Sequence, residues 1–173
     1  SDVCSSDLIK QTLIHLKLLI QMITNLVSLR QKILIVKDSD LFNFRKLLKL
    51  KHVYYSDKKW VGGSLTNYRQ VYWSKKVKVN EKLYDTFKYM RYLPSLVFIF
   101  DSNLSKWALF EASNLNLPIF SVVDSDTIFL NKINYIIIGN NKNFESIFLY
   151  LNIIINSVLK GRRKELLKIL RIV

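Results

Sequence analysis

The sequence predicts an α/β domain built on a mainly parallel sheet with helices on both faces. Three observations lead there. Short, nearly uniform apolar runs recur along the chain. They alternate with segments of helical periodicity, and most end in a cluster of Asp, Ser, Asn or Gly. Strands buried on both faces read as continuous apolar runs, and their alternation with helices favours parallel pairing through crossovers.

The elements follow in order. Residues 8–29 place Leu13, Leu16, Leu19, Ile20, Ile23, Leu26 and Val27 at helical spacing, which predicts an amphipathic helix. KILIV at 32–36 suits a buried strand. Asp38-Ser39-Asp40 can cap a helix near 41–50. A second strand is expected at 53–55, and a helix at about 65–74. Residues 75–90 carry Lys75, Lys76, Lys78, Lys82 and Lys88 without clean periodicity, and read as an exposed helical or irregular excursion. LVFIF at 96–100 is a strand and 104–115 a helix. The strand at 119–123 ends at Asp124-Ser125-Asp126, and the strand at 135–138 ends at Gly139-Asn140-Asn141. A long helix covers 144–159. Gly161-Arg162-Arg163 marks its end or a bend before a basic helical tail over 161–173.

At 173 residues the chain is expected to form one domain with a real core. Residues 1–7 read unlike the rest: SDVCSSDL looks like translated adapter sequence, so 1–7 is expected to be a non-native leader and 8–173 the domain. Half of the residues are apolar and 13% are aromatic, which argues against wholesale disorder. Residues with GC-rich codons are scarce: glycine occurs 4 times and proline twice. An AT-rich gene is expected, a bias that fits organelle and some protist genomes.

The formal charge of +14 comes from 27 Lys+Arg against 13 Asp+Glu. Such an excess calls for a polyanionic partner, most simply nucleic acid, with an anionic membrane surface as the rival. No segment reads as a membrane span: 9–29 is interrupted by Lys10, Lys17, Gln11, Gln21, His15 and Asn25, and 147–159 is too short. The single cysteine, Cys4, excludes an intrachain disulfide and a cysteine-built metal site.

Residues 58–69, KKWVGGSLTNYR, are the richest local signal. Gly62 and Gly63 permit tight turns and close approach. Ser64, Thr66 and Asn67 are helix-capping types. The open amides of a helix start favour anions such as phosphate. Lys58, Lys59 and Arg69 would hold a polyanion nearby. Trp60 either stacks on a base or ribose, or anchors the loop against the sheet. Arg162 and Arg163, with Lys160 and Lys164, form a second cation cluster, which is a solvated helix end or a phosphate contact.

Asp101, Asp124 and Asp126 follow predicted strands, with Glu111 on the helix between, where open α/β sheets place ligands. Such carboxylates could hold Mg²⁺ or do acid/base work. Their plainer role is capping and turn formation, the reading preferred here. No nucleophile–base pair accompanies them, and no Gly-x-Gly-x-x-Gly or P-loop motif is present. His15 and His52 lack partners at ligand spacing. Neither a catalytic residue, a metal nor a cofactor is expected.

Lys59-Trp60-Val61-Gly62-Gly63-Ser64-Leu65-Thr66-Asn67 resembles the Arg-Trp-Leu-Gly-Gly-x-Leu-Thr-Asn stretch of the S-two family of small-subunit ribosomal proteins, bacterial and mitochondrial type. Further ordered resemblances follow. They are the strand from Leu93-Pro94 to Asp101, the run from Glu111-Ala112 to Asp124, Ile137-Ile138-Gly139-Asn140-Asn141, and the closing Lys160-Gly161-Arg162. The family's His-Phe-Gly-His motif is absent, and its long helical hairpin shrinks to about 75–89. Asp124-Ser125-Asp126 replaces Asp-Thr-Asn, and Ile138 replaces a proline.

The resemblance implies a Rossmann-like three-layer sandwich without nucleotide chemistry. It implies a structural, non-enzymatic constituent of the small ribosomal subunit; taken with the AT-rich composition, the expectation is a mitochondrial-type subunit, in the mitochondrial matrix and organelle-encoded. Expected partners are small-subunit rRNA and neighbouring ribosomal proteins, with no integral membrane association. The rRNA contacts are expected at Lys58, Lys59, Trp60, Gly62, Gly63, Thr66, Asn67, Arg69, Arg162 and Arg163. The alternatives are a Rossmann-like metal-dependent enzyme using the strand-end aspartates, and a basic peripheral membrane protein.

Overall fold

Five short strands form one sheet in the order β2-β1-β3-β4-β5, with every neighbouring pair parallel. The strands are β1 (Ile33–Val36), β2 (Val53–Ser56), β3 (Leu96–Ile99), β4 (Ile119–Val123) and β5 (Tyr135–Ile138). The helices are α1 (Asp2–Ser28), α2 (Tyr68–Trp73), α3 (Lys106–Asn114) and α4 (Phe144–Leu170). A 3₁₀ turn at Leu130–Lys132 was not anticipated. The structure is a computed structural model that describes residues 2–37, 50–56, 59–73, 90 and 92–170. The helix expected near 41–50 and the basic excursion at 75–90 lie, apart from Leu50 and Met90, outside the described residues.

Side-chain alternation along the strands separates two cores. Ile33, Ile35, Leu96, Phe98, Phe120, Val122 and Ile137 face α1 and α4, where Leu19, Ile23, Val27, Ile147, Leu151, Ile154 and Val158 meet them. Leu34, Val36, Val97, Ile99 and Ile119 face the other way, against Trp60, Leu65, Met90 and Ala108, Leu109 and Ala112 of α3. The result is the expected Rossmann-like three-layer sandwich. The strands carry apolar side chains on both faces, which is why they read as unbroken runs.

Helix ends decide several boundaries. α1 closes with Arg30 N–H donating to Val27 O (3.0 Å) and Gln31 N–H to Leu26 O (2.9 Å). α3 closes the same way, Asn116 to Ser113 O (3.0 Å) and Leu117 to Ala112 O (3.1 Å). This double closure needs a left-handed residue, normally Gly or Asn. Asn116 fits at φ 53°, whereas Arg30 adopts φ 61° at a cost of about 1 kcal/mol.

Gly161 neither ends nor bends α4, which runs unbroken to Leu170. A Cβ on Gly161 would lie 2.8 Å from Thr24 O and 2.8 Å from Val27 Cβ. The glycine therefore marks the close crossing of α1 and α4 and not a helix stop. α1 also covers the free edge of β5: His15 Nδ1 donates to Ile136 O at 2.6 Å, and Ile138 N–H donates to Thr12 Oγ1 at 3.3 Å. An uncovered edge strand would template association.

Candidate functional site

The glycine loop leaves the carboxyl end of β2 and lies against α3. Its organising group is Glu111, which is only 9% exposed. Glu111 Oε1 accepts hydrogen bonds from Trp60 Nε1 (2.9 Å) and Gly63 N–H (2.7 Å). Oε2 accepts from Leu65 N–H (2.8 Å), Thr66 N–H (3.1 Å) and Thr66 Oγ1 (3.3 Å). A buried carboxylate is tolerable only when its lone pairs are met this fully. The amides expected to invite phosphate are thus already bound to an anion of the chain itself.

This lock accounts for the local backbone. Gly63 takes φ 85°, a left-handed value that aims its N–H at Glu111, while a Cβ on Gly62 would meet nothing within 4 Å. Ser64 Oγ donates to Val61 O at 2.6 Å. With Leu65 and Thr66 committed to Glu111, residues 62–67 form turns, and α2 begins at Tyr68, not near 65 as expected.

Trp60 anchors the loop: it is 6% exposed, its N–H is bonded to Glu111 and its ring belongs to the α3-side core. That removes the stacking role considered for it. Lys59, Gly62, Thr66, Asn67 and Arg69 are exposed along the loop, and Gly63 is half-buried. Asn67 Nδ2 donates to Gln70 Oε1 (3.0 Å), and the Arg69 guanidinium carbon lies 5.8 Å from the Tyr68 ring centroid. Lys58 lies outside the described residues.

Arg162 and Arg163 are elsewhere. α4 starts beyond the carboxyl end of β5 and runs back, so that Glu165 reaches Arg30 before β1 and His52 before β2. The loop lies at the carboxyl ends of the strands on the α3 face, and the end of α4 that carries the arginine pair lies at their amino ends on the opposite face. The sequence named both groups but could not show that separation.

The strand-end aspartates are engaged locally. Asp101 Oδ1 accepts from Asn103 N–H (2.9 Å) and Leu104 N–H (3.1 Å), the turn-forming role preferred for it. Asp124 Oδ1 accepts from Ser125 N–H at 2.7 Å. Asp126 pairs with Lys142 at 2.8 Å; that hydrogen bond lowers the Asp126 pKa and raises that of Lys142, with Asp124 and Asp101 adding to the latter. A lysine ammonium thus sits in the field of all three carboxylates, where the enzyme reading needs a metal. Among the described residues no group of three or more His, Cys, Asp or Glu could hold a metal ion. No described helix is long and apolar enough to cross a membrane.

Comparison with known proteins gives this geometry its context. A family model for ribosomal protein S2 matches residues 7–88 and 73–161. The chain belongs to the ribosomal protein S2 family. It is 29% identical over 144 residues to the small ribosomal subunit protein uS2 of Baumannia cicadellinicola subsp. Homalodisca coagulata, across 67% of this chain and 62% of that protein. To the uS2 of Vibrio cholerae strain M66-2 it is 30% identical over 140 residues, 65% of this chain and 57% of the relative. To that of Colwellia psychrerythraea it is 27% identical over 141 residues, 65% and 58%. The chain spans about three fifths of the length of the curated relatives it matches. Within this S2 chain, Glu111 is the residue that sequence reasoning placed in the wrong company. Its partners are 45 to 51 positions away on the loop, not the neighbouring aspartates. The one available signal was an acidic side chain on the apolar side of a short helix.

Proposed function

We propose that this chain is a structural, non-catalytic constituent of the small subunit of a mitochondrial-type ribosome, encoded by an AT-rich organelle genome. It binds rRNA and neighbouring ribosomal proteins. Membership of the ribosomal protein S2 family carries this reading, and the relatives named above are small-subunit proteins. The net charge of +14 supports an RNA partner. The loop supports it locally: Glu111 fixes the backbone from inside, leaving Lys59, Thr66, Asn67 and Arg69 outside on a rigid base. Phosphate contacts made from such a base position the domain without reading sequence. Lys58, Gly62, Gly63, Arg162 and Arg163 complete the proposed contacts, and Trp60 contributes by holding the loop.

Sedimentation of native organelle lysate through a sucrose gradient, at moderate and then high salt, tests the reading. The chain is expected to travel with small-subunit rRNA at moderate salt. Migration as a free or membrane-bound species while ribosomes remain intact would overturn it.

A further inference from the structure

α4 is apolar on two faces. The inner one, with Ile147, Leu151, Ile154 and Val158, belongs to the core shared with α1 and the sheet. The outer one carries Phe148, Leu149, Leu159, Leu166 and Leu170, each between 43% and 72% exposed, with Ile155 half-buried beside them. At helical pitch, Phe148, Ile155, Leu159, Leu166 and Leu170 fall within about 60° of one another around the axis. They lie away from Gly161, which presses on Thr24 and Val27 of α1. A surface helix normally turns charged and polar residues outward, and a helix apolar all round is one that is covered.

The row has coiled-coil spacing. Phe148, Asn152, Ile155 and Leu159 stand four, three and four positions apart, and Leu166 follows Leu159 by seven. Asn152 takes a seam position, where a single amide fixes register and partner choice. The Phe144 and Phe148 rings stack with centroids 6.1 Å apart and extend the row by a turn.

Charge says what fits there. Lys160 and Lys164, both exposed, flank the leucines as lysines flank a helical seam, and call for acidic side chains opposite. Arg162 and Arg163 interrupt the row between Leu159 and Leu166, so an occupant would lie beside the RNA phosphates assigned to that pair. A lipid surface fits less well: from Phe144 to Leu159 the helix carries Glu145, Asn152 and Asn156 and no cation. A second copy brings the same lysines and the same net charge of +14, which opposes self-association.

We propose that the outer face of α4 is a docking seam for an amphipathic helix of a neighbouring small-subunit protein, one with an apolar heptad row and acidic side chains opposite Lys160 and Lys164. The inference rests on the ribosomal reading above and gives it a surface and a partner chemistry. The inner face of α4 closes the domain, and the outer face joins the domain to its protein neighbour.

The test uses small subunits reconstituted with chains that carry a photo-reactive residue at Leu159 or at Leu166. The subunits are purified by sedimentation, irradiated, and the cross-linked peptides sequenced. Both positions are expected to label one segment of one protein, at sites about seven residues apart and with Asp or Glu between them. Cross-links to rRNA, to lipid or to a second copy of this chain, or none at all, would overturn the seam and leave the ribosomal reading standing. Leu159→Glu with Leu166→Glu alters only exposed positions, so that variant is expected to melt like wild type and still sediment with small-subunit rRNA. The labelled protein should then fall by about tenfold in the purified subunits, because two carboxylates would be buried in an apolar seam. Full retention would also overturn the seam. A wild-type chain that does not sediment with small-subunit rRNA would overturn the ribosomal reading itself.

Discussion

Trp60 and Glu111, 51 residues apart in sequence, are joined by a 2.9 Å hydrogen bond at the centre of the loop–helix contact. The same carboxylate takes three backbone amides and a hydroxyl from Gly63, Leu65 and Thr66. Glu111→Ala is expected to strand these donors at once. Removing one partner of a buried, charged hydrogen-bond set typically costs about 3 kcal/mol or more. Urea unfolding would read the loss, and Trp60 fluorescence would shift red as the indole becomes hydrated. A midpoint within experimental error of wild type would show that the loop does not depend on Glu111.

The two glycines of the loop are expected to differ sharply. Gly62→Ala meets nothing within 4 Å and has no left-handed backbone, so it should leave stability within about 0.5 kcal/mol of wild type. Gly63→Ala forces φ 85° on a residue with a Cβ and should cost about 1–2 kcal/mol. Thermal melts of the pair would decide it, and equal losses would contradict the geometry.

Gly161→Ala sets propensity against packing. Alanine gains about 1 kcal/mol as a helix former. Its Cβ would press to 2.8 Å on the Thr24 carbonyl, a backbone atom that can retreat only by moving α1. Overpacking of this kind costs about 1–3 kcal/mol, so a net loss of stability is expected from denaturant curves. A stabilised variant would mean that the helices can separate freely.

Acidification is expected to destabilise the domain through His52, which is 2% exposed. Burial lowers its folded pKa below the ordinary 6.5; Glu165 opposes and Lys32 and Lys51 reinforce the shift. The unfolded chain then binds the proton more readily than the folded one. Stability is full above 6.5 and declines as pH falls toward the lowered folded value. Urea midpoints at about pH 7.5 and about pH 5.5 should differ in that sense, and His52→Asn should flatten the difference. A wild-type midpoint that rises on acidification would reverse the sign and exclude this origin.

Thr12→Val removes the acceptor on the free edge of β5 while keeping side-chain volume. The Ile138 amide, which donates to Thr12 Oγ1 at 3.3 Å, is expected to exchange its hydrogen faster, with self-association rising in light scattering. Unchanged exchange at Ile138 would show that α1 shields the edge by bulk alone.

The sheet was legible because each strand is apolar on both faces. The runs at 32–36, 53–55, 96–100, 119–123 and 135–138 each contain or overlap an observed strand. What stayed hidden depended on contacts between distant segments. Gly161 looks like a helix terminator until Thr24 is placed against it. The cluster from Ser64 to Asn67 looks like a helix start until Glu111 takes its amides. Arg30, Lys51 and Glu165 are unremarkable positions in sequence, and only the return of α4 brings them together.

That return of α4 also bears on how the protein is made. α1 buries Leu19, Ile23 and Val27 against Ile154 and Val158, and its polar ties to Ser157 and Lys168 span 133 and 140 residues. During synthesis α1 precedes α4 by more than a hundred residues, so the part of its apolar face that α4 covers in the folded domain stays open until α4 has been made. The interval is one in which a chaperone, or premature contact with RNA through the basic residues of the early segment, would decide whether the chain survives to fold.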